Sequence, residues 1–211
     1  MWIGGIKLQV YIILTNTGTL FTRIIKVFTR YPFNHASISF DQQLDVAYSF
    51  GRKKPNNPFI GGFVKEDMEG QLFRHASCAI YKCTVSESEY REMIQRIKQI
   101  EEQQELYKYN FIGLFAVLLN KKMNREKAYF CSQFVATILS NGGISIKDKP
   151  ACLVKPNDIT ECGRFELVYQ GDLRGYLLKH GKEIEKQAEK RNRRLYYLNS
   201  IYTKLARTIA N

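Results

Sequence analysis

Two segments of the sequence carry residue types that can perform nucleophilic chemistry together. Residues 34–41, NHASISFD, place one of the three histidines, His35, just before an alternating apolar stretch. Residues 129–143, YFCSQFVATILSNGG, place Cys131 at the start of an apolar run with helical spacing. A thiolate nucleophile with a histidine base is the pair that a cysteine hydrolase needs to form an acyl-cysteine intermediate.

The Cys131 segment is predicted to be a helix that begins at or just before the cysteine, with the thiol in its first turn. Its apolar residues fall at i, i+3, i+4, i+7 and i+8, which is one helical face, and Asn141-Gly142-Gly143 provide a stop signal. Free N–H groups and the positive dipole end at a helix N-terminus stabilise a thiolate and can also bind an oxyanion. Taken alone, Cys131 would be interpreted as a core residue. Combined with a strand histidine, it is predicted to be the most reactive of the five thiols.

Periodicity and turn signals predict strands and helices around these two residues in one domain, the default for 211 residues. The predicted strands are 6–14, 35–40, 45–50, 75–84 and 165–169. The predicted helices are 19–29, 86–105 (with the capping-box pattern Ser86-x-x-Glu89), 110–119, the Cys131 segment and most of 171–207. The Gly/Pro/Asn-rich segment 51–62 is predicted to be a loop.

The predicted hairpin sets the neighbours of His35. With a two-residue turn at 42–43, the register puts Phe50 opposite His35 and Tyr48 opposite Ser37. We expect neither a second histidine nor a glutamate beside the imidazole in this arrangement. Tyr48 and Ser37 are then the nearest polar candidates to orient it, although packing and ladder hydrogen bonding are the more ordinary roles of both.

Cysteine usage and hydropathy bear on compartment and cofactors. The five cysteines are odd in number and form no CxxC pair, so they predict neither a disulfide framework nor a zinc site, and we expect no metal or cofactor. The N-terminal segment lacks the basic start and cleavage site of a signal peptide, and no apolar stretch approaches the length of a membrane span. We expect a cytoplasmic location.

The charge of the chain is strongly basic. The net charge is +12, and half of that excess lies from Asp172 onward, where ten Lys/Arg face four acids. No zinc-finger spacing or RNP-like aromatic motif accompanies this charge, so we expect no specific nucleic-acid partner. A solvated basic face is the ordinary interpretation, and peripheral contact of the basic tail with an anionic membrane is an alternative.

The sequence resembles a known family, the circularly permuted branch of the NlpC/p60 superfamily of papain-like cysteine hydrolases, in particular its YiiX/YebB-like members. The resemblance covers most of residues 6–170. It lies in the opening strand, HASISFD, AYSFGR (47–52), FIGGF (59–63), YFCSQFV and KPND (155–158). As in the permuted branch, the histidine strand precedes the cysteine helix.

This resemblance implies an α+β papain-like domain over 1–170, with a central antiparallel sheet packed on the cysteine helix, and a basic helical extension over 171–211. It implies Cys131 as nucleophile and His35 as base, and the predicted hairpin register adds Tyr48 or Ser37 as the third member. The expected function is a thiol hydrolase or acyltransferase acting on an amide or ester of a small peptide, such as a murein fragment, or of a lipid. An inactive binding module of the same fold and a basic adaptor for membrane or nucleic acid stay open, as does the oligomeric state.

Overall fold

A six-stranded antiparallel sheet forms the centre of the protein. The computed structural model describes residues 7–17, 31–54 and 57–180. The sheet strands are β1 (Leu8–Asn16), β2 (His35–Ser39), β3 (Ala47–Lys54), β4 (Asn57–Glu66), β5 (Ser77–Val85) and β8 (Glu166–Asp172), and their spatial order is β4-β3-β2-β1-β5-β8. The most apolar strand, β1, therefore lies inside the sheet, between β2 and β5.

The other elements are helices and one small parallel sheet. The helices are α1 (Glu87–Glu102), α2 (Phe111–Leu118), α3 (Cys131–Asn141), α4 (Pro156–Thr160) and α5 (residues 173–180). Strands β6 (Lys108–Tyr109) and β7 (Ala128–Tyr129) pair in parallel immediately before α2 and α3, respectively. The fold is thus mixed α+β, as the sequence predicts.

Both faces of the sheet are buried, as the long apolar run of β1 requires. One face carries Val10, Ile12 and Leu14 and packs against α1 and α3 through residues such as Phe134 and Ile138. The other face forms a second cluster that includes Tyr11, Ile13, Phe73 and Tyr176, contributed by the sheet, the segment after β4 and α5. The Cys131 helix therefore packs on the central sheet.

The capping-box prediction for α1 is confirmed. Ser86 is its N-cap: the Ser86 hydroxyl accepts a hydrogen bond from the Glu89 N–H, and the Glu89 carboxylate accepts one from the Ser86 N–H at 2.7 Å. The helix predicted over 19–29 lies outside the described residues.

The prediction of a loop over 51–62 was wrong. This segment forms the arms of a long hairpin, with β3 reaching Lys54 and β4 starting at Asn57. Its glycines serve close packing within the strands: a Cβ at Gly61 would lie 2.8 Å from the Gly51 carbonyl oxygen and 2.9 Å from Tyr109 Cβ. Glycine in a strand can mark such a close approach.

The proposed boundary at residue 170 falls inside β8. Gly171 and Asp172 pair with Cys78 and Ser77 of β5, so the strand crosses that position. The following helix begins with Leu173, which is fully buried in the second cluster. The residues just after 170 are therefore part of the packed domain, and the predicted helix beyond 180 lies outside the described residues.

Candidate active site

Cys131 is the first residue of α3, so the prediction that its thiol lies in the first helical turn is confirmed. Phe130 is the N-cap and provides no side-chain hydrogen bond to the helix start. Ser132 does not cap it either, because its hydroxyl donates to the Val154 carbonyl at 2.7 Å. The first-turn N–H groups beside Cys131 are thus free of a side-chain cap, while the cysteine itself is 3% exposed.

His35 lies where the ladder between β2 and β3 has ended. That ladder pairs Ile38 with Tyr48 and Ser39 with Ala47. Nearer to His35, the Ser49 hydroxyl donates to the Ala36 carbonyl at 2.8 Å. The imidazole is 15% exposed, forms a hydrogen bond with Glu66, and lies close enough to Cys131 for the cysteine to raise its pKa.

Glu66, the last residue of β4, is the carboxylate partner of His35. Its Oε1 is 2.6 Å from His35 Nε2, and its Oε2 accepts a hydrogen bond from the Ser37 hydroxyl. The Glu66 side chain is 5% exposed, and the Phe73 ring lies beside the imidazole with 6.4 Å between ring centroids. Because Nε2 is bonded to Glu66, Nδ1 is the ring nitrogen left for Cys131.

The pKa of His35 is far above its ordinary value. Burial acts to lower the pKa, but the Glu66 charge and the hydrogen bonds to Cys131 and Glu66 outweigh it and raise the pKa of His35 to about 10. A histidine with this pKa is an imidazolium at neutral pH. The arrangement is therefore a cation that lies between the Glu66 carboxylate and the Cys131 sulfur.

Small residues in β3 make room for this pair. Glu66 pairs with Ala47 and must reach across β3 to contact residues of β2. Gly51 lies under the contact: a Cβ there would be 3.6 Å from both Glu66 Oε1 and His35 Cε1. Side chains longer than a methyl group at Gly51 would compete for the space of the Glu66–His35 pair.

Asn110 lies beside the start of α3. Its N–H donates to the Tyr129 carbonyl at 2.9 Å, which extends the parallel pairing of β6 and β7, so α2 and α3 begin side by side. Its side-chain Oδ1 caps α2 by accepting from the Gly113 N–H at 2.9 Å. Asn110 is fully buried, and its Nδ2 has no hydrogen-bond partner within the described part of the chain.

Tyr48 does not take the position predicted for it. The register between β2 and β3 differs by one residue from the prediction, so Tyr48 faces Ile38 rather than Ser37. Its ring packs on Phe40 and Phe63. In place of Tyr48, Glu66 contacts the imidazole, so the expectation that no glutamate lies beside His35 was wrong.

The sequence contained a signal for Glu66 that the loop prediction hid. FIGGFVKE, residues 59–66, is the arm of a hairpin, and Glu66 ends it. Once β4 is recognised as a strand paired with β3, Ala47 stands between Ser39 of β2 and Glu66. A carboxylate at that position reaches β2 across a small residue.

Three further buried residues have different surroundings from those of Cys131 and His35. Gln133, two residues after Cys131, is buried, with 1% of its surface exposed. Burial, together with the charge of Asp172, raises the pKa of the Cys78 thiol to about 12, and burial also raises the pKa of Cys83. Both are therefore protonated and poorly nucleophilic at neutral pH.

No family model and no curated protein sequence matches the chain.

Within the described ranges, no group of three or more His, Cys, Asp or Glu side chains is arranged to hold a metal ion. Among those same residues, no helix combines the length and apolar character needed to cross a membrane.

Proposed function

We propose that this protein is a thiol hydrolase of papain-like type that acts on an amide or ester through an acyl-cysteine intermediate. The observation that carries the proposal is the chain of contacts from Cys131, at the uncapped N-terminus of α3, to His35 and on to Glu66. Cys131 is the nucleophile, His35 the acid and base, and Glu66 the residue that orients the imidazole.

The first half-reaction acylates the enzyme. The Cys131 thiolate attacks the carbonyl carbon, a C–S bond forms, and the carbonyl electron pair moves onto oxygen. When the oxyanion collapses, the bond to the leaving amine or alkoxide breaks and the leaving group takes a proton from the His35 imidazolium.

The second half-reaction releases the acid. Neutral His35 takes a proton from water, and the resulting hydroxide oxygen attacks the acyl-cysteine carbonyl. Collapse breaks the C–S bond and releases a carboxylic acid. The thiolate and the imidazolium are thereby restored.

The oxyanion has two sources of donors at the start of α3. The first-turn N–H groups have no side-chain cap, and the Asn110 Nδ2 is a buried donor without a partner in the described part of the chain. Fixed donors of this kind stabilise the charge that develops on the carbonyl oxygen, because they need no reorganisation during the reaction.

The substrate class we propose is an amide or ester of a small peptide, such as a murein fragment, or of a lipid. The net charge of +12 favours a substrate with acidic groups. All five cysteines are free thiols, which supports a reducing compartment, and we propose the cytoplasm.

The test is acylation of the purified protein by a p-nitrophenyl acetate probe. We expect a burst of p-nitrophenolate and an acetyl group on Cys131, identified by peptide mass spectrometry. Cys131→Ser should abolish the burst, and His35→Asn should slow it by at least about 100-fold, the usual contribution of a positioned acid-base group.

Cys162→Ser is the matched control, because Cys162 is the most accessible of the five cysteines. This variant should keep the full burst. Acetyl transfer to Cys162 instead of Cys131, or a burst at Cys131 that is unchanged in a folded His35→Asn protein, would contradict the proposed function.

A further inference from the structure

Helix α2 exposes an apolar stripe. Ile112, Phe115 and Leu119, the residue that caps its C-terminus, are 55%, 50% and 68% exposed and follow one another at i, i+3 and i+7. The inward face is separate: Leu114 and Val117 pack on Phe130. Helix α2 is therefore apolar on both sides, and within the described part of the chain one of these sides is exposed. Exposed apolar patches mark interaction sites.

Basic residues follow the stripe directly. The segment from Asn120 to Lys127 carries Lys121, Lys122, Arg125 and Lys127 against one acid, Glu126. Lys121, Lys122 and Arg125 are exposed, and Lys155 adds a further cation, since its Nζ donates to the Asn120 side chain at 2.9 Å. An apolar stripe bordered by cations is typical of surfaces that bind anionic lipid headgroups.

We propose that α2 and the segment after it dock on an anionic lipid bilayer, with Ile112, Phe115 and Leu119 in the acyl boundary and Lys121, Lys122 and Arg125 at the headgroups. The helix has eight residues and is about 12 Å long, so it lies in the interface and is too short to span the bilayer. None of these residues belongs to the basic C-terminal tail.

Charge argues against a second copy of this chain as the occupant. A twofold interface brings the same patch of both subunits together, so the cations of one copy would face those of the other. Like charges placed opposite each other in an interface oppose association. An anionic bilayer supplies the opposite charge together with an apolar layer for the stripe.

Docking would bring the membrane close to Cys131. Asn110 caps α2 and is hydrogen-bonded to Tyr129, two residues before the cysteine. The proposal does not depend on catalysis, however, because binding is measured on the protein without any substrate.

The experiment is sedimentation of the full-length protein with sucrose-loaded vesicles of phosphatidylcholine, with and without one quarter phosphatidylglycerol. We expect binding to the anionic vesicles and little to pure phosphatidylcholine. Lys121→Gln with Lys122→Gln should weaken binding by about 30-fold, since each basic residue near the surface contributes roughly fivefold. Phe115→Ser with Leu119→Ser should also weaken it by at least tenfold.

Two matched controls accompany these variants. Leu178→Ser removes an apolar side chain of similar exposure, 54%, on α5, and Lys190→Gln with Arg191→Gln removes two charges from the tail. The Leu178 variant should bind like the parent, and the tail pair should lose far less than the Lys121–Lys122 pair.

Four outcomes would overturn the proposal. The first two are no binding to anionic vesicles and equal binding to both vesicle types. The third is a tail pair that loses binding while the α2 variants keep it. The fourth is a dimer that forms without lipid and that Phe115→Ser abolishes. The last outcome, from sedimentation velocity, would assign the stripe to a second copy. Circular dichroism of each variant establishes that it is folded.

Discussion

Replacing Glu66 by glutamine tests how the charge on His35 is maintained. Glutamine keeps the length of the side chain and its capacity to hydrogen-bond but removes the carboxylate charge. That charge is the largest of the influences that raise the pKa of His35 to about 10, whereas burial acts to lower it. We therefore expect the pKa of His35 in Glu66→Gln to fall by several units, toward the 6.5 of an ordinary histidine or below it.

The size of the effect follows from the wild-type value. A pKa of about 10 against an ordinary 6.5 is a difference of about 3.5, which corresponds to about 5 kcal/mol of preference for the imidazolium. Because the folded-state pKa is raised, this contribution to stability is fully present below about pH 6.5 and is lost as pH rises through about 10. In Glu66→Gln the loss of stability over that pH range should largely disappear.

The assay is a pH titration of the histidine Cε1–H signals by NMR. The protein has three histidines, so a His35→Asn spectrum assigns the resonance of interest. Glu69→Gln is the matched control, since Glu69 is an exposed carboxylate three residues further along the chain. A His35 midpoint in folded Glu66→Gln that stays within about half a unit of the wild-type midpoint would refute the reasoning.

Three further predictions concern the oxyanion donor and two structural contacts. Asn110→Ser keeps an N-cap acceptor but removes the Nδ2 donor, so Cys131 acylation by p-nitrophenyl acetate should slow about 100-fold. Alkylation of Cys131 by iodoacetamide forms no oxyanion, so its rate should stay unchanged. Equal effects on both rates would contradict the role of Asn110 as an oxyanion donor. Gly61→Ala would place a Cβ 2.8 Å from a backbone oxygen, so its midpoint in urea unfolding should fall by an amount equivalent to about 1 to 3 kcal/mol. The control Gly163→Ala, whose Cβ meets no atom within 4 Å, should leave the midpoint nearly unchanged. Equal midpoints for the two variants would count against the close approach. Asp158, 3% exposed, accepts from Lys149 at 2.7 Å and caps α4 through the Lys155 N–H, so Asp158→Asn should lower the free energy of unfolding by about 1 to 3 kcal/mol at pH 7. Burial acts to raise the pKa of Asp158, but the pairing with Lys149 and the other partners holds it below the ordinary value. The difference in unfolding free energy between Asp158→Asn and wild type should therefore shrink as pH falls through that lowered pKa. A difference that does not depend on pH would exclude this explanation.

Local sequence was sufficient to predict the elements that carry Cys131 and His35. The helix from Cys131 to its glycine stop was readable because one apolar face recurs at helical spacing and because glycine ends helices for conformational reasons. The strand that starts at His35 was readable from its alternation. Both signals lie within a dozen residues of chain, so no distant contact was needed to recognise them.

Tertiary structure decided the partner of the imidazole. Glu66 is 31 residues from His35 in the chain, and their contact depends on the register of two strand pairs and on the small Ala47 and Gly51 in the strand between them. A shift of one residue in a strand turns every side chain to the opposite face. The predicted register differed from the observed one by one residue. It therefore made Tyr48, rather than Glu66, the candidate polar neighbour of the imidazole.

The glycines of the hairpin show the same limit. A glycine is equally typical of a loop and of a strand that another backbone or side chain approaches closely, and sequence alone does not distinguish these cases. At Gly61 the distinction depends on Tyr109, a residue from a different sheet. The sequence by itself determined which cysteine and histidine are the candidates for chemistry. Packing between distant segments determined which carboxylate contacts the imidazole, because burial and strand pairing are properties of the assembled sheet.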